Sequence, residues 1–223
     1  MASRQDFEQL DAQDPLASLR ELFDLPEDLI YLDGNSLGAL PKATAARVQQ
    51  VLQGEWGRDL IQSWNKAGWM DLPRRVGDKI ARLVGVGPGE VVVADSTSVN
   101  LFKVLSAALR IGMEDQPHRR VILSEATNFP TDLYIAESVA QVHGFSLELV
   151  EADAIPASLT DQVAVLLLTQ VNYRTGRLHD MAALTRAAHE AGALAVWDLA
   201  HSAGALPVNL MGDGSQEEAA DFA

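Results

Sequence analysis

The sequence predicts an α/β protein, with a mostly parallel central sheet and covering helices. Two observations carry this expectation. Beyond residue 89, short β-rich runs at 91–94, 121–123, 147–150, 163–168 and 193–197 alternate with helical stretches at 99–111, 131–143 and 181–191. Strands that alternate with helices are what parallel pairing with crossover connections requires. Each helical stretch also runs into a glycine, Gly112, Gly144 or Gly192, the residue suited to a left-handed helix terminus.

Ahead of this region, Phe7, Leu10, Leu16, Leu19 and Phe23 could line one helix face interrupted at Pro15, and residues 33–38 (Asp-Gly-Asn-Ser-Leu-Gly) are turn chemistry. Residues 42–52 read as an amphipathic helix closed by Gly54, and residues 72–84 as another before Gly85, joined by a connector holding Trp56, Trp64 and Trp69. Asp221 and Phe222 could begin a further strand. The expected division is an N-terminal arm over 1–60, belonging to a smaller domain, and a large domain over 61–223 that is incomplete at its C-terminal end.

With 223 residues, 48% of them hydrophobic, the chain can bury a substantial core. Its formal charge of -14 repels phosphate backbones and anionic lipid, so neither nucleic acid nor membrane is an expected partner. The lack of cysteine excludes disulfides, thiolate metal sites and a cysteine nucleophile, and fits a reducing compartment. The polar, acidic start lacks the features of a signal peptide, and no uncharged apolar run is long enough to span a bilayer. A cytoplasmic protein is expected.

In open parallel sheets ligands sit beyond the carboxyl ends of the strands, so polar residues just after each predicted strand are the candidates. Residues 95–98 (Asp-Ser-Thr-Ser) offer hydroxyls and backbone N–H groups at a positive helix end, which suits either a phosphate or an ordinary helix cap. Residues 128–132 (Asn-Phe-Pro-Thr-Asp) open the next helix, with Pro130 where its missing N–H costs nothing and Phe129 placed either in the core or against a flat heteroaromatic ring. Thr169 closes an apolar strand as a candidate hydrogen-bond donor, or as a β-branched residue that favours strands. Asp198 closes the run Val-Trp-Asp, and His201 follows three residues later. A buried carboxylate there needs a cationic or strongly donating partner. No metal is expected, because Asp198 and His201 give two ligands and the spacing places no third.

Taken together, these residues resemble the fold-type-I pyridoxal-phosphate enzymes of the class V aminotransferase superfamily, and within it the kynureninases. The resemblance spans residues 31–222 and rests on 31–38 (Tyr-Leu-Asp-Gly-Asn-Ser-Leu-Gly), 129–132 and 197–204 (Trp-Asp-Leu-Ala-His-Ser-Ala-Gly). It implies that Thr97 and Ser98 hold the cofactor phosphate. Phe129 would stack on the ring beside Pro130, Thr131 and Asp132, with Thr169 near the ring hydroxyl. Asp198, the residue assigned a catalytic part, would pair with the pyridine nitrogen, supported by His201. Asn35, Ser36 and Trp64 would face the aromatic end of the substrate. The implied reaction is hydrolysis of L-kynurenine, or of its hydroxylated form, to the anthranilate product and L-alanine, by a homodimer. A cysteine desulfurase or aminotransferase would share the cofactor residues, and a fragment without activity is the third alternative. The Schiff-base lysine is expected beyond Ala223, because Lys42, Lys66, Lys79 and Lys103 match no such motif.

Overall fold

The computed structural model describes residues 2–212, 214–215 and 217–223, and the chain divides into two compact units, residues 1–70 and 71–223. In the first unit, helix α1 (Arg4–Ala12) starts at a capping box in which the Ser3 and Asp6 side chains each accept the other's backbone N–H. A 3-10 turn (Ala17–Leu22) leads into β1 (Phe23–Asp24), which pairs antiparallel with β2 (Leu40–Pro41). The expected helical face is therefore split around Pro15, and Phe7, Leu10 and Leu16 are exposed. Helix α2 (Lys42–Gln50) does not close at Gly54; it widens into a π turn (Val51–Trp56) that carries the chain past that glycine. A 3-10 turn (Leu60–Gln62) and the short α3 (Ser63–Lys66) complete the unit. Trp69 donates its indole N–H to Glu55 at 2.6 Å.

The second unit begins with α4 (Leu72–Val84), which has Pro73 in its first turn and ends at Gly85 in the left-handed region (φ 76°). Residues 91–94, expected as the first strand, form none. A strand needs a neighbour to share its ladder, and no described segment pairs with this one; Val93 donates instead to the Pro73 carbonyl. Helix α5 (Thr97–Asp115) also corrects the sequence reading, because it continues through Gly112. Gly112 is buried with no positive φ, in the body of the helix where an added Cβ would make only ordinary contact with Ala164 at 3.6 Å, so it does not mark a terminus.

Thereafter strand and helix alternate as expected: β3 (Val121–Glu125), α6 (Pro130–His143), β4 (Ser146–Val150), a 3-10 turn with the short α7 (Ile155–Ser158), β5 (Val163–Thr169), α8 (Met181–Glu190) and β6 (Leu194–Asp198). The four strands pair in parallel in the order β4-β3-β5-β6, and one further parallel bridge, Val196 to Phe222, lies where the last strand was expected. Gly144 caps α6 in the left-handed region, and Gly192 follows α8 in the same conformation.

The central strands are buried on both faces, and alternate residues serve the two cores. Leu123, Leu166, Leu168 and Trp197 pack on one side with Met181 and Ala188 of α8. Ile122, Val165, Leu167 and Val196 pack on the other with Leu105 and Leu109 of α5 and Val139 of α6. Trp197 donates its indole N–H to Thr185 at 2.9 Å, so the largest buried side chain leaves no polar atom unpaired. These two packed layers hold the carboxyl ends of β3, β5 and β6 side by side.

Candidate active site

Three kinds of group converge at those strand ends. The first is the amino terminus of α5. Ser96 is the N-cap and accepts from the Val99 N–H at 3.5 Å, so the cap falls on Ser96 and leaves Thr97 and Ser98 in the first helical turn. Asp95 precedes them in the left-handed region (φ 39°), a costly conformation for a residue with a side chain, and its carboxylate pairs with Lys103. Asn100 reaches back to the Ala94 carbonyl at 2.7 Å and fixes the entry to the helix. Thr97, Asn100 and Leu101 share an open cleft of 320 Å³ with Trp197, Asp198 and Ala200.

The second is a chain of polar groups between β3, α6 and β5. Ser124 donates to the Leu167 carbonyl at 2.7 Å and accepts from the Asn128 amide at 3.1 Å. The Asn128 Oδ1 accepts from the Phe129 N–H at 2.7 Å and from the Thr169 hydroxyl at 2.5 Å. Asn128 thus fixes the turn from which Phe129 and Pro130 enter α6.

The third is a pair of carboxyl groups. Asp198 is half-buried at the end of β6, and its Oδ1 accepts from the Ala200 N–H at 2.6 Å. Asp132, in the first turn of α6, is only 1% exposed and bonds to Asp198, with the Thr169 hydroxyl 3.5 Å away. Its pKa is pushed up to about 8, chiefly by burial and next by the charge of Asp198 and the bond between the two groups, against a smaller downward pull from Thr169. Asp132 therefore holds a proton at neutral pH. This corrects the sequence reading, in which Asp198 was the buried carboxylate needing a partner. The deeply buried member is Asp132.

An aromatic wall stands beside this pair. Phe129 meets Tyr173 edge-on at 5.2 Å and His201 at 5.9 Å between ring centroids, and the His201 Nδ1 lies 3.2 Å from the Val171 carbonyl. Phe129, Pro130, Thr131, Asp132, Thr169, Asp198 and His201 are thus brought to one edge of the sheet, and Thr97 and Asp198 to one cleft. Asn35, Ser36 and Trp64 lie in the first unit, where the Tyr31 hydroxyl closes the turn on the Leu37 carbonyl at 2.5 Å and Trp64 is 49% exposed. The sequence places Asn128 in the candidate segment 128–132 but gives it no role of its own, and it gives none to Tyr173. A polar Ser124 inside an apolar strand, four residues before Asn128, was the one available signal for the first, and nothing local marks Tyr173.

The aminotransferase class-V family matches residues 30–215. The chain belongs to that family. Among curated relatives, it is 58% identical over 213 residues to the kynureninase of Pseudomonas fluorescens, covering 94% of this chain and 51% of that protein. It is 55% identical over 215 residues to the kynureninase of Burkholderia pseudomallei (strain K96243), covering 95% and 52%. The chain therefore spans about half the length of these relatives. Among solved structures, a C-DES variant with glycine covalently linked to its PLP cofactor superposes with a TM-score of 0.71 at 17% identity, covering 92% of this chain and 54% of that one. The apo cysteine desulfurase of Thermococcus onnurineus NA1 gives 0.65 at 21% identity, covering 100% and 54%. These structures share the fold, and the kynureninases share the sequence.

Proposed function

We propose that this chain provides the pyridoxal-phosphate-binding half of a kynureninase, which hydrolyses L-kynurenine, or its hydroxylated form, to the anthranilate product and L-alanine. The observation that carries the cofactor assignment is the Asp132–Asp198 pair. The Asp198 carboxyl group opens onto the cleft with the buried, protonated Asp132 behind it, an arrangement suited to receive a cationic ring N–H. When bound, pyridoxal phosphate supplies an electron sink for the carbanion chemistry. Asp198, with Asp132 behind it, keeps the ring nitrogen protonated. Thr97 and Ser98 at the positive end of α5 bind the phosphate through hydroxyls and N–H groups. Phe129 stacks on the ring, His201 at its edge supports Asp198, and Thr169, held by Asn128, faces the ring's hydroxyl edge. Asn35, Ser36 and Trp64 contact the aromatic end of the substrate, which is the part that distinguishes kynurenine cleavage from desulfuration or transamination. The sequence likeness to kynureninases, far above that to the desulfurase structures, favours this reading.

Residues 1–60 are read as part of a smaller domain. A homodimer is inferred from the exposed Trp56 and Trp64, which suit burial at a subunit interface. The charge of -14 and the absence of cysteine support a cytoplasmic enzyme that does not bind nucleic acid, and no helix among the described residues is long and apolar enough to cross a membrane. The test is anthranilate fluorescence from L-kynurenine incubated with the full-length protein and pyridoxal phosphate. Sustained release is expected. Absence of product from a cofactor-loaded protein would reject the substrate assignment.

A further inference from the structure

Behind the aromatic wall lies a buried charged cluster to which the proposed chemistry gives no part. Glu125, the last residue of β3, is 6% exposed, and His179 is 4% exposed. The His179 Nε2 stands 2.9 Å from one Glu125 oxygen, while the other accepts from the Thr127 hydroxyl at 2.7 Å and the Asn172 amide at 3.1 Å. Burial, the largest single influence, would raise the Glu125 pKa, yet these three partners together hold the carboxyl below its usual range. The carboxylate stays charged in a buried place because three polar partners hold its two oxygens.

The partners of this carboxylate belong to two segments. Thr127 sits in the turn that delivers Phe129 to α6. Asn172 and His179 flank a short hairpin closed by the Val171–Leu178 bridge, by the Asn172 N–H on the Arg177 carbonyl at 2.9 Å and by the His179 N–H on the Gln170 carbonyl at 2.9 Å. The Asn172 amide also reaches the Thr127 hydroxyl at 2.9 Å, and its oxygen accepts from the Arg174 and Thr175 N–H groups. The tip of that hairpin carries Tyr173, 44% exposed, whose ring meets Phe129. Two of the wall's three rings, Phe129 and Tyr173, therefore sit on these two segments, and Glu125 bonds to both, alongside the direct contacts of Asn172 with Thr127.

We propose that Glu125 is a positioning residue: through Thr127, Asn172 and His179 it clamps the 171–178 hairpin to the Phe129 turn and so fixes the aromatic wall against which a planar cofactor ring is held. The proposal rests on the pyridoxal-phosphate reading for the ring and on the geometry alone for the clamp. Glu125 is not among the residues assigned to cofactor or substrate, and its side-chain partners are Thr127, Asn172 and His179. Its removal frees the hairpin, leaves the sheet packed, and lets the wall open.

The test is Glu125→Gln in the full-length protein, which keeps volume while removing the charge that gathers the three partners. Hydrogen exchange without cofactor is expected to speed up by at least about tenfold at amides within residues 171–178, the loss of one buried charged hydrogen bond, with α8 and β5 unchanged. Pyridoxal phosphate is expected to bind about tenfold more weakly, with a reduced visible circular dichroism band, while the parent protein binds normally. Unchanged hairpin exchange, or exchange that rises equally over the whole unit, overturns the clamp. Loosened exchange with unchanged cofactor affinity and dichroism overturns the positioning role. If the parent protein takes up no pyridoxal phosphate, the functional reading fails, and exchange at 171–178 still decides the clamp. Should Glu125→Gln not fold, His179→Gln disrupts one of the three Glu125 contacts, keeps the direct Asn172–Thr127 bonds, and is judged by the same two measurements.

Discussion

Replacing Asp132 by Asn should change how the stability of the cofactor-free protein depends on pH. The folded-state pKa of Asp132, about 8, lies above the ordinary aspartate value of 3.8, so between these limits the folded state holds a proton that the unfolded chain has lost. The sign follows from linkage: stability falls as pH rises through this window, and the contribution is gone above about pH 8. Inside the window each step of one pH unit removes about 1.4 kcal/mol, so an isolated group of this pKa loses about 3 kcal/mol between about pH 6 and about pH 9. Asp132 is only 1% exposed, so solvent screening reduces this little. The Asn variant is neutral throughout and keeps a donor for Asp198. Its stability should run flatter over this range, and at the alkaline end it should exceed that of the parent, where two adjacent carboxylates are ionised. Urea denaturation followed by tryptophan fluorescence at a series of pH values measures this, and the difference between the two proteins cancels titrations elsewhere. Parallel curves would refute the assignment of a proton to Asp132.

Asp198→Asn removes the charge that helps to raise the Asp132 pKa, so the pH-dependent step in stability should move to lower pH, as the same denaturation series would show. Ser96→Ala removes the side-chain cap of α5 and should cost about 1 kcal/mol, read by the denaturation midpoint. Leu105→Ala, at a side chain with no exposure between α5 and the sheet, should cost about 2–5 kcal/mol in the same assay.

How much of this is legible in the sequence depends on whether a feature is set locally. The apolar run at β5 and the Gly144 terminus of α6 are determined by nearby residues, and in both the structure agrees with the sequence. The segment 91–94 has the same composition as the strands, but ladder pairing depends on a neighbour that its own residues do not specify. Gly112 misleads because a glycine inside a buried helix facing Ala164 looks, in sequence, like one that ends a helix. At the candidate site, Asp198 is legible as a carboxylate closing an apolar strand. The burial of Asp132 is not, since an aspartate in a first helical turn is ordinarily a solvated cap, and only its place against Thr169 and Asp198 at the ends of β5 and β6 makes it otherwise. Asn128 and Glu125 do their work across more than 40 residues of sequence, through Thr169 and through Asn172 and His179, which no local pattern encodes.

The central claim is that the groups gathered at the ends of β3, β5 and β6 hold pyridoxal phosphate, with the carboxyl pair at its ring nitrogen. The most direct measurement is a titration of the full-length protein with pyridoxal phosphate, followed by visible circular dichroism, alongside Asp198→Asn. Saturable binding at one site per chain, with an induced band and at least about tenfold weaker affinity in the variant, is the predicted result, since a neutral amide cannot balance a cationic ring. Absence of saturable binding by the parent, or equal affinity and an identical band in Asp198→Asn, would contradict it.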